Sequence, residues 1–143
     1  METSKELLNI LDWTSVKARI IMSEHRPFPR KREVWWASLG QNIGVEVNGK
    51  NKRFERPVLV ISVLNADSLF VAPITSTIGG NQRYLIPFTS HNGTSQSVNI
   101  FQLRTLSTKR FIRKISDISI GNFNAVLDSI NKQVLIKTEA SAN

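Results

Sequence analysis

The chain has 143 residues, 41% of them hydrophobic, no cysteine and a net charge of +8. That length and apolar share exclude a disordered chain and fit one domain with a real core and a short appendage. The missing cysteines exclude a disulfide framework, a thiolate metal site and a cysteine nucleophile, and the positive charge points to a polyanionic partner, usually nucleic acid. No stretch approaches the roughly 18 apolar residues of a membrane span. The opening "METSKELLNILDW" lacks the basic start, continuous apolar core and small-residue cleavage site of a signal peptide. A cytoplasmic protein with no membrane contact is expected.

Along the chain, Ser4 to Met22 reads as an amphipathic helix, with Leu7, Leu11, Ala18 and Ile21 near the 3.6-residue period and Leu8 and Ile10 widening the stripe. In "EHRPFPRKR", Pro27 and Pro29 cannot continue a helix. Glu24 to Arg32 is therefore expected to link this helix to the main domain, giving residues 1–31 as an extension and 32–143 as the domain. Five short runs rich in β-branched and aromatic residues follow: "EVWWASL" (33–39), "PVLVISV" (57–63), "LFVAPITS" (69–76), "RYLIPF" (83–88) and "SVNIFQL" (97–103). Turns are expected at Asn48-Gly49, Asn65 to Asp67, Gly79 to Asn81 and Asn92-Gly93. Pro57 begins its strand, where proline is tolerated. Strands this short and close suggest a small barrel or sandwich. Asn122 to Ile136 reads as a final helix, with Phe123, Val126, Leu127, Ile130 and Val134 on its apolar face and Gly121 just before it.

The basic residues fall into three clusters: Arg26, Arg30, Lys31 and Arg32; Lys50, Lys52, Arg53 and Arg56, diluted by Glu55; and the acid-free run "RTLSTKRFIRK" from Arg104 to Lys114. They either meet on one face of the domain or form three solvated patches. The two histidines, His25 and His91, lie in the linker and a loop, with no carboxylates at ligand spacing, so no metal or cofactor is expected. Neither a phosphate-binding glycine loop nor a GxSxG elbow occurs. What remains is polar residues at strand ends: Glu46, Arg56, Thr75 and Ser76, Gln102 and Arg104. Taken singly, each has an ordinary structural account.

Their joint arrangement is more specific. "EVWWASLGQNIGVEVNGKNKRFERPVLVIS", then "VAPITS", then "SVNIFQLRTLSTKRF" resembles the MazF/PemK family of toxin endoribonucleases, across Arg32 to about Leu135. The resemblance implies an α+β chain, mainly β with helices: an SH3-like barrel with a C-terminal helix, here carrying an N-terminal helical extension. It implies a homodimeric type II toxin that cleaves single-stranded RNA without metal and is held by an antitoxin, with which such toxins bind DNA. The catalytic arginine, threonine and loop glutamate of the family fall on Arg56, Thr75 and Glu46. Lys50, Lys52, Arg53, Ser76, Gln102 and Arg104 are the candidate RNA-binding residues. An acidic antitoxin follows from the basic surface. Three features depart from the family pattern: a longer loop between Glu46 and Arg56, Val47 where many members carry Gln, and the first thirty residues.

The residue types suit the chemistry. Attack of an RNA 2′-hydroxyl on the adjacent phosphate builds charge on the non-bridging oxygens. An arginine fork matches phosphate geometry and stays charged. Pro57 fixes φ beside Arg56, which would hold the guanidinium at the strand mouth. Trp35, Trp36 and Phe54 offer faces for base stacking, against the ordinary expectation that strand alternation turns one of the tryptophans inward. Two other functions compete: a CcdB-like non-catalytic gyrase inhibitor, which would not require Arg56 with Thr75, and a non-catalytic RNA-binding barrel.

Overall fold

A computed structural model describes residues 2–78 and 83–135. The elements are α1 (Glu2–Met22), β1 (Glu33–Ser38), β2 (Glu55–Val63), β3 (Ser68–Thr75), β4 (Leu85–Thr89), β5 (Ser95–Asn99), β6 (Arg104–Ser107), β7 (Phe111–Asp117) and α2 (Ile120–Gln133). Short 3-10 turns, Ile100–Gln102 and Thr108–Arg110, follow β5 and β6. The expected turn Gly79 to Asn81 and the helix end at Ile136 lie outside the described residues.

All seven strands pair antiparallel in the order β4-β5-β3-β2-β1-β7, with β6 also on β3. β3 organises the sheet. One of its edges pairs with β2, and the other passes from β6 at Ser68 to Val71 to β5 at Ile74 and Thr75. Among the described residues no pairing joins β7 to β4 or β6, so the expected barrel is open. The reason is that β6 is only four residues long and bonds to β3, after which the 3-10 turn carries the chain to the far edge of β1.

β2 separates two cores, because alternate strand residues point to opposite faces. Leu59 and Ile61 face one core with Ala72, Ile74, Val98 and α2. Val58 and Val60 face the other with Ala37, Leu39, Val71, Leu106 and Phe111. α2 starts at the cap Ser119, whose hydroxyl accepts from the Asn122 amide. Gly121 therefore lies inside the first turn, not before it. Phe123, Val126, Leu127 and Ile130 pack on the sheet as expected, while Val134 is 36% exposed.

α1 differs from the sequence reading in the face it buries. The expected stripe is turned outward, with Leu7 57%, Leu11 65% and Ile21 59% exposed. The helix packs instead through Trp13, flanked by the half-buried Asn9, Val16 and Ile20. The spacing of these four residues also fits a helix face. α1 is apolar on two opposite sides, and a tryptophan carries more buried area than the leucines it displaces. Trp13 packs against Phe54 with the rings tilted by 58° and their centroids 5.6 Å apart, and the Arg110 guanidinium lies 5.8 Å over its ring. Gly40, at φ +88°, makes room for it: a Cβ there would stand 2.4 Å from the indole. The segment from Ser23 to Arg32 is pinned too. The Arg26 side chain pairs with Asp67 at 2.7 Å, and the Arg32 guanidinium donates to the Ile118 carbonyl.

Candidate active site

Arg56 stands one residue into β2, half-buried and paired across the sheet with Ala37. Its Nε donates to the Asn48 carbonyl at 2.8 Å. That bond fixes the plane of the guanidinium and leaves both Nη groups with no protein acceptor among the described residues. Burial lowers its pKa from the ordinary arginine value, because desolvation opposes the charge. It remains a cation at neutral pH. β2 and β3 pair as far as Val58 and Pro73. Arg56 and Thr75 each lie two residues beyond that last pair, with the strand parity of Val58 and Pro73; Thr75 pairs instead with Ser97 on β5. The Thr75 hydroxyl accepts from the Thr77 amide at 3.2 Å.

Between β1 and β2 lies the long loop. Its base is closed by the Leu39 and Gly40 amides donating to the Phe54 carbonyl and by the Gly49 amide donating to Gly40. Asn42 holds it from inside, its side-chain amide donating to the carbonyls of Val47 at 2.7 Å and Leu39 at 3.2 Å. The Asn42 amide in turn donates to the Asn48 side chain. Gln102 anchors it from outside. Its Oε1 accepts from the Val47 amide at 3.2 Å and its Nε2 donates to the Val45 carbonyl at 3.0 Å. Glu46 sits between these anchors, with one carboxylate oxygen accepting from the Ile43 amide at 2.9 Å.

A cavity of about 360 Å³ opens under this loop, and Glu46, Gln102 and Arg104 line it together with Val58 and Pro73. The fold thus brings three of the expected site residues to one cavity. Arg56 does not line it; its bond to Asn48 ties it to Asn42, which does. Thr75 and Ser76 are not among its lining residues; Ser76 is exposed just beyond β3. Lys50, Lys52 and Arg53 lie elsewhere. They ride on a tight hairpin in which Lys50 and Glu55 exchange both backbone hydrogen bonds, and they line clefts against α1.

The expected stacking residues are occupied. Phe54 is buried under Trp13, Trp35 meets Phe111 edge-on at 6.0 Å, and the Arg113 guanidinium covers Trp36 at 5.1 Å. Phe54 turns inward because the hairpin gives it and Asn51 positive φ values. Three contributors lie outside the expected site residues: Asn42 and Asn48, which hold the loop and Arg56, and Ser97. Ser97 pairs with Thr75 across β5 and β3, and its fully buried hydroxyl has no partner among the described residues. The same residues include no cluster of three or more His, Asp or Glu able to hold a metal. No helix among them is long and apolar enough to cross a membrane.

A family model described as "PemK-like, MazF-like toxin of type II toxin-antitoxin system" matches residues 30–134. Solved structures share the fold. MazF from Deinococcus radiodurans is 20% identical, with a TM-score of 0.61 over 74% of this chain and 96% of that one. The MazE-MazF structure (Form-II) from the same organism is 16% identical, at 0.59 over 78% and 99%. Mycobacterium tuberculosis toxin MazF-mt6 is 20% identical, at 0.54 over 71% and 94%. No curated protein matches the chain in sequence.

Proposed function

The chain belongs to the family of PemK-like, MazF-like toxins of type II toxin-antitoxin systems, and from that premise we propose that it is a metal-independent endoribonuclease acting on single-stranded RNA. The observation that carries this reading is Arg56. It is a half-buried cation at a strand mouth, oriented by one bond to Asn48, with no protein acceptor for either Nη group among the described residues. In the proposed step the 2′-oxygen attacks the adjacent phosphorus and the bond to the 5′-oxygen breaks. The products are a 2′,3′-cyclic phosphate and a 5′-hydroxyl. The 2′-hydroxyl proton passes to the Glu46 carboxylate, and the departing 5′-oxygen takes its proton from solvent. Arg56 stabilises charge on the phosphate oxygens and Thr75 donates a hydroxyl hydrogen bond to them. An arginine is too weak an acid to serve first as proton donor.

Gln102 and Arg104 would contact RNA at the cavity, Ser76 from the exposed end of β3, and Lys50, Lys52 and Arg53 from the hairpin. Single strands suit in-line attack because their bases can be splayed out. The family and the MazE-MazF structures support an antitoxin as partner. In this reading it is an acidic protein that competes with RNA for the Arg56 region. A cytoplasmic homodimer with residues 32–143 as the toxin unit, binding DNA together with its antitoxin, completes the proposal.

The test is incubation of purified protein with a defined RNA in EDTA, followed by mapping of fragment ends. Cyclic phosphate and 5′-hydroxyl ends are expected, with Arg56→Ala and Thr75→Ala each at least about 10²-fold slower. Loss of all activity on chelation with recovery in magnesium, or full activity in a folded Arg56→Ala protein, overturns it.

A further inference from the structure

A second concentration of positive charge lies away from Arg56. It lies where α1 meets the sheet, in a groove of about 660 Å³ walled by the C-terminal half of α1, the Lys50–Glu55 hairpin and the turn Thr108–Arg110. Arg19, Lys52, Arg53, Lys109 and Arg110 line it, with His25, and no Asp or Glu does. A second cleft of about 630 Å³ shares Val16, Arg19 and Lys52 with it and adds Lys50, with Asp12 its one acid. Two of these cations have structural partners. Lys109 donates to the Ile21 carbonyl at 3.1 Å, and Arg110 donates to Ser38 at 3.1 Å and lies over Trp13. Arg19, Lys52 and Arg53 have neither a hydrogen-bond nor an ion-pair partner among the described residues. Folding gathers these side chains from three distant parts of the chain, and like charges held this close repel one another until an anion lies between them.

We propose that this groove is a phosphate-binding track for single-stranded RNA, distinct from the cleavage cavity and created by the docking of α1. The choice of RNA rests on the proposed function. The geometry favours a nucleic-acid backbone over an acidic protein. The groove supplies charge, while its aromatic rings, Trp13, Phe54 and Phe111, are all turned into the protein. It therefore has no platform for a base or for an aromatic anchor. The chain also leads from it to the site. One stem of its hairpin follows Asn48, which orients Arg56, and the other runs directly into Arg56. A strand whose scissile phosphate sits at Arg56 has flanking phosphates beside the hairpin. Binding there reads backbone and not sequence.

The experiment measures the salt dependence of binding for uncleavable 2′-O-methyl RNAs of two, six and twelve nucleotides. The proteins are wild type, Arg19→Gln and Arg19→Gln/Lys109→Gln. On single strands each lost phosphate contact lowers the slope of log K against log salt by about 0.7. With the 12-mer, the single variant should lose about 0.7 and the double about 1.4. With the dinucleotide neither should differ from wild type. The single variant guards against Lys109→Gln undocking α1. An unchanged 12-mer slope, or a change equal at every length, overturns the track. So does a variant that weakens binding of the acidic partner protein while leaving the 12-mer unaffected. Because the probe is uncleavable, the two proposals fail separately. A protein that cuts no RNA but shows the length-dependent loss keeps the track and loses the chemistry, and the converse result does the reverse.

Discussion

Glu55, one residue before Arg56, is buried and faces both Nη groups of Arg113 at 3.3 and 3.4 Å. The carboxylate is thus neutralised by β7 rather than by its own neighbour, which leaves Arg56 free of a local ion pair. Arg113 is half exposed and also covers Trp36. Arg113→Ala should therefore cost about 1–2 kcal/mol, less than the loss of a fully buried partner. Urea denaturation measures it, and RNA cleavage by the folded variant should stay within about threefold of wild type. A stability change below the error of the method would mean that water replaces the pair.

Gln102, proposed above to meet RNA, also holds the loop through two backbone bonds, to Val45 and Val47. Gln102→Ala should raise hydrogen exchange at the Val47 amide and lower kcat/KM by about tenfold, because Glu46 is no longer held in place. Gln102→Glu can accept from Val47 but cannot donate to Val45, so it should recover part of the protection. If Gln102→Ala loses activity while Val47 exchange is unchanged, Gln102 acts on RNA directly and not through the loop.

Gly40 and Trp13 form a steric pair. Gly40→Ala places a methyl 2.4 Å from the indole at a residue with positive φ, and overpacking of this kind costs about 1–3 kcal/mol. Trp13→Ala removes the clash along with the packing. The double variant should be less destabilised than the sum of the singles by about 1 kcal/mol or more. Additive losses in a double-mutant cycle would place the cost of Gly40→Ala in the backbone alone.

Glu33 carries the clearest pH dependence. Burial pushes its pKa up, but hydrogen bonds from Lys114, the Arg30 amide and the Trp35 indole, with the Lys114 charge, bring it below the ordinary 4.5. A depressed folded-state pKa contributes stability that is complete above the unfolded value and lost as pH falls through the folded one. Stability should thus decline below about pH 4.5, and Glu33→Gln should flatten that decline while lowering stability at neutral pH. Urea midpoints between pH 3 and 6 check it. Parallel curves for the two proteins would remove Glu33 from the acid transition.

Five strands and α2 were legible because their β-branched runs and helical spacing are dictated by burial on one or both faces. β6 and β7 were not, because the run of Arg104, Lys109, Arg110, Arg113 and Lys114 has no strand-like apolar alternation and reads equally as one charged face or as a solvated patch. In the structure Arg110 is turned onto the Ser38 and Leu39 carbonyls and Arg113 onto Glu55, so the cations flank strands instead of replacing them. The α1 period was right and its orientation wrong, since an isolated helix with two apolar sides does not say which one meets the sheet. At the site, short motifs singled out Arg56, Thr75 and Glu46. The loop network of Asn42, Asn48 and Gln102 has no periodic trace. Its bonds include one that spans 55 residues and another that spans 57, and a hydrogen bond between distant segments imposes no pattern on either.

The indole of Trp13 sits where the N-terminal helix meets the loop. Gly40 opens the loop that carries Glu46, and Arg110 grips the carbonyls of Ser38 and Leu39 on one side while lying over Trp13 on the other. These shared contacts predict that docking of the N-terminal helix and ordering of the loop are thermodynamically linked. Any ligand that favours the ordered loop must tighten the helix by the same factor by which the docked helix tightens the ligand. A partner that peels the helix away through its outward leucines would weaken that ligand without touching its binding site.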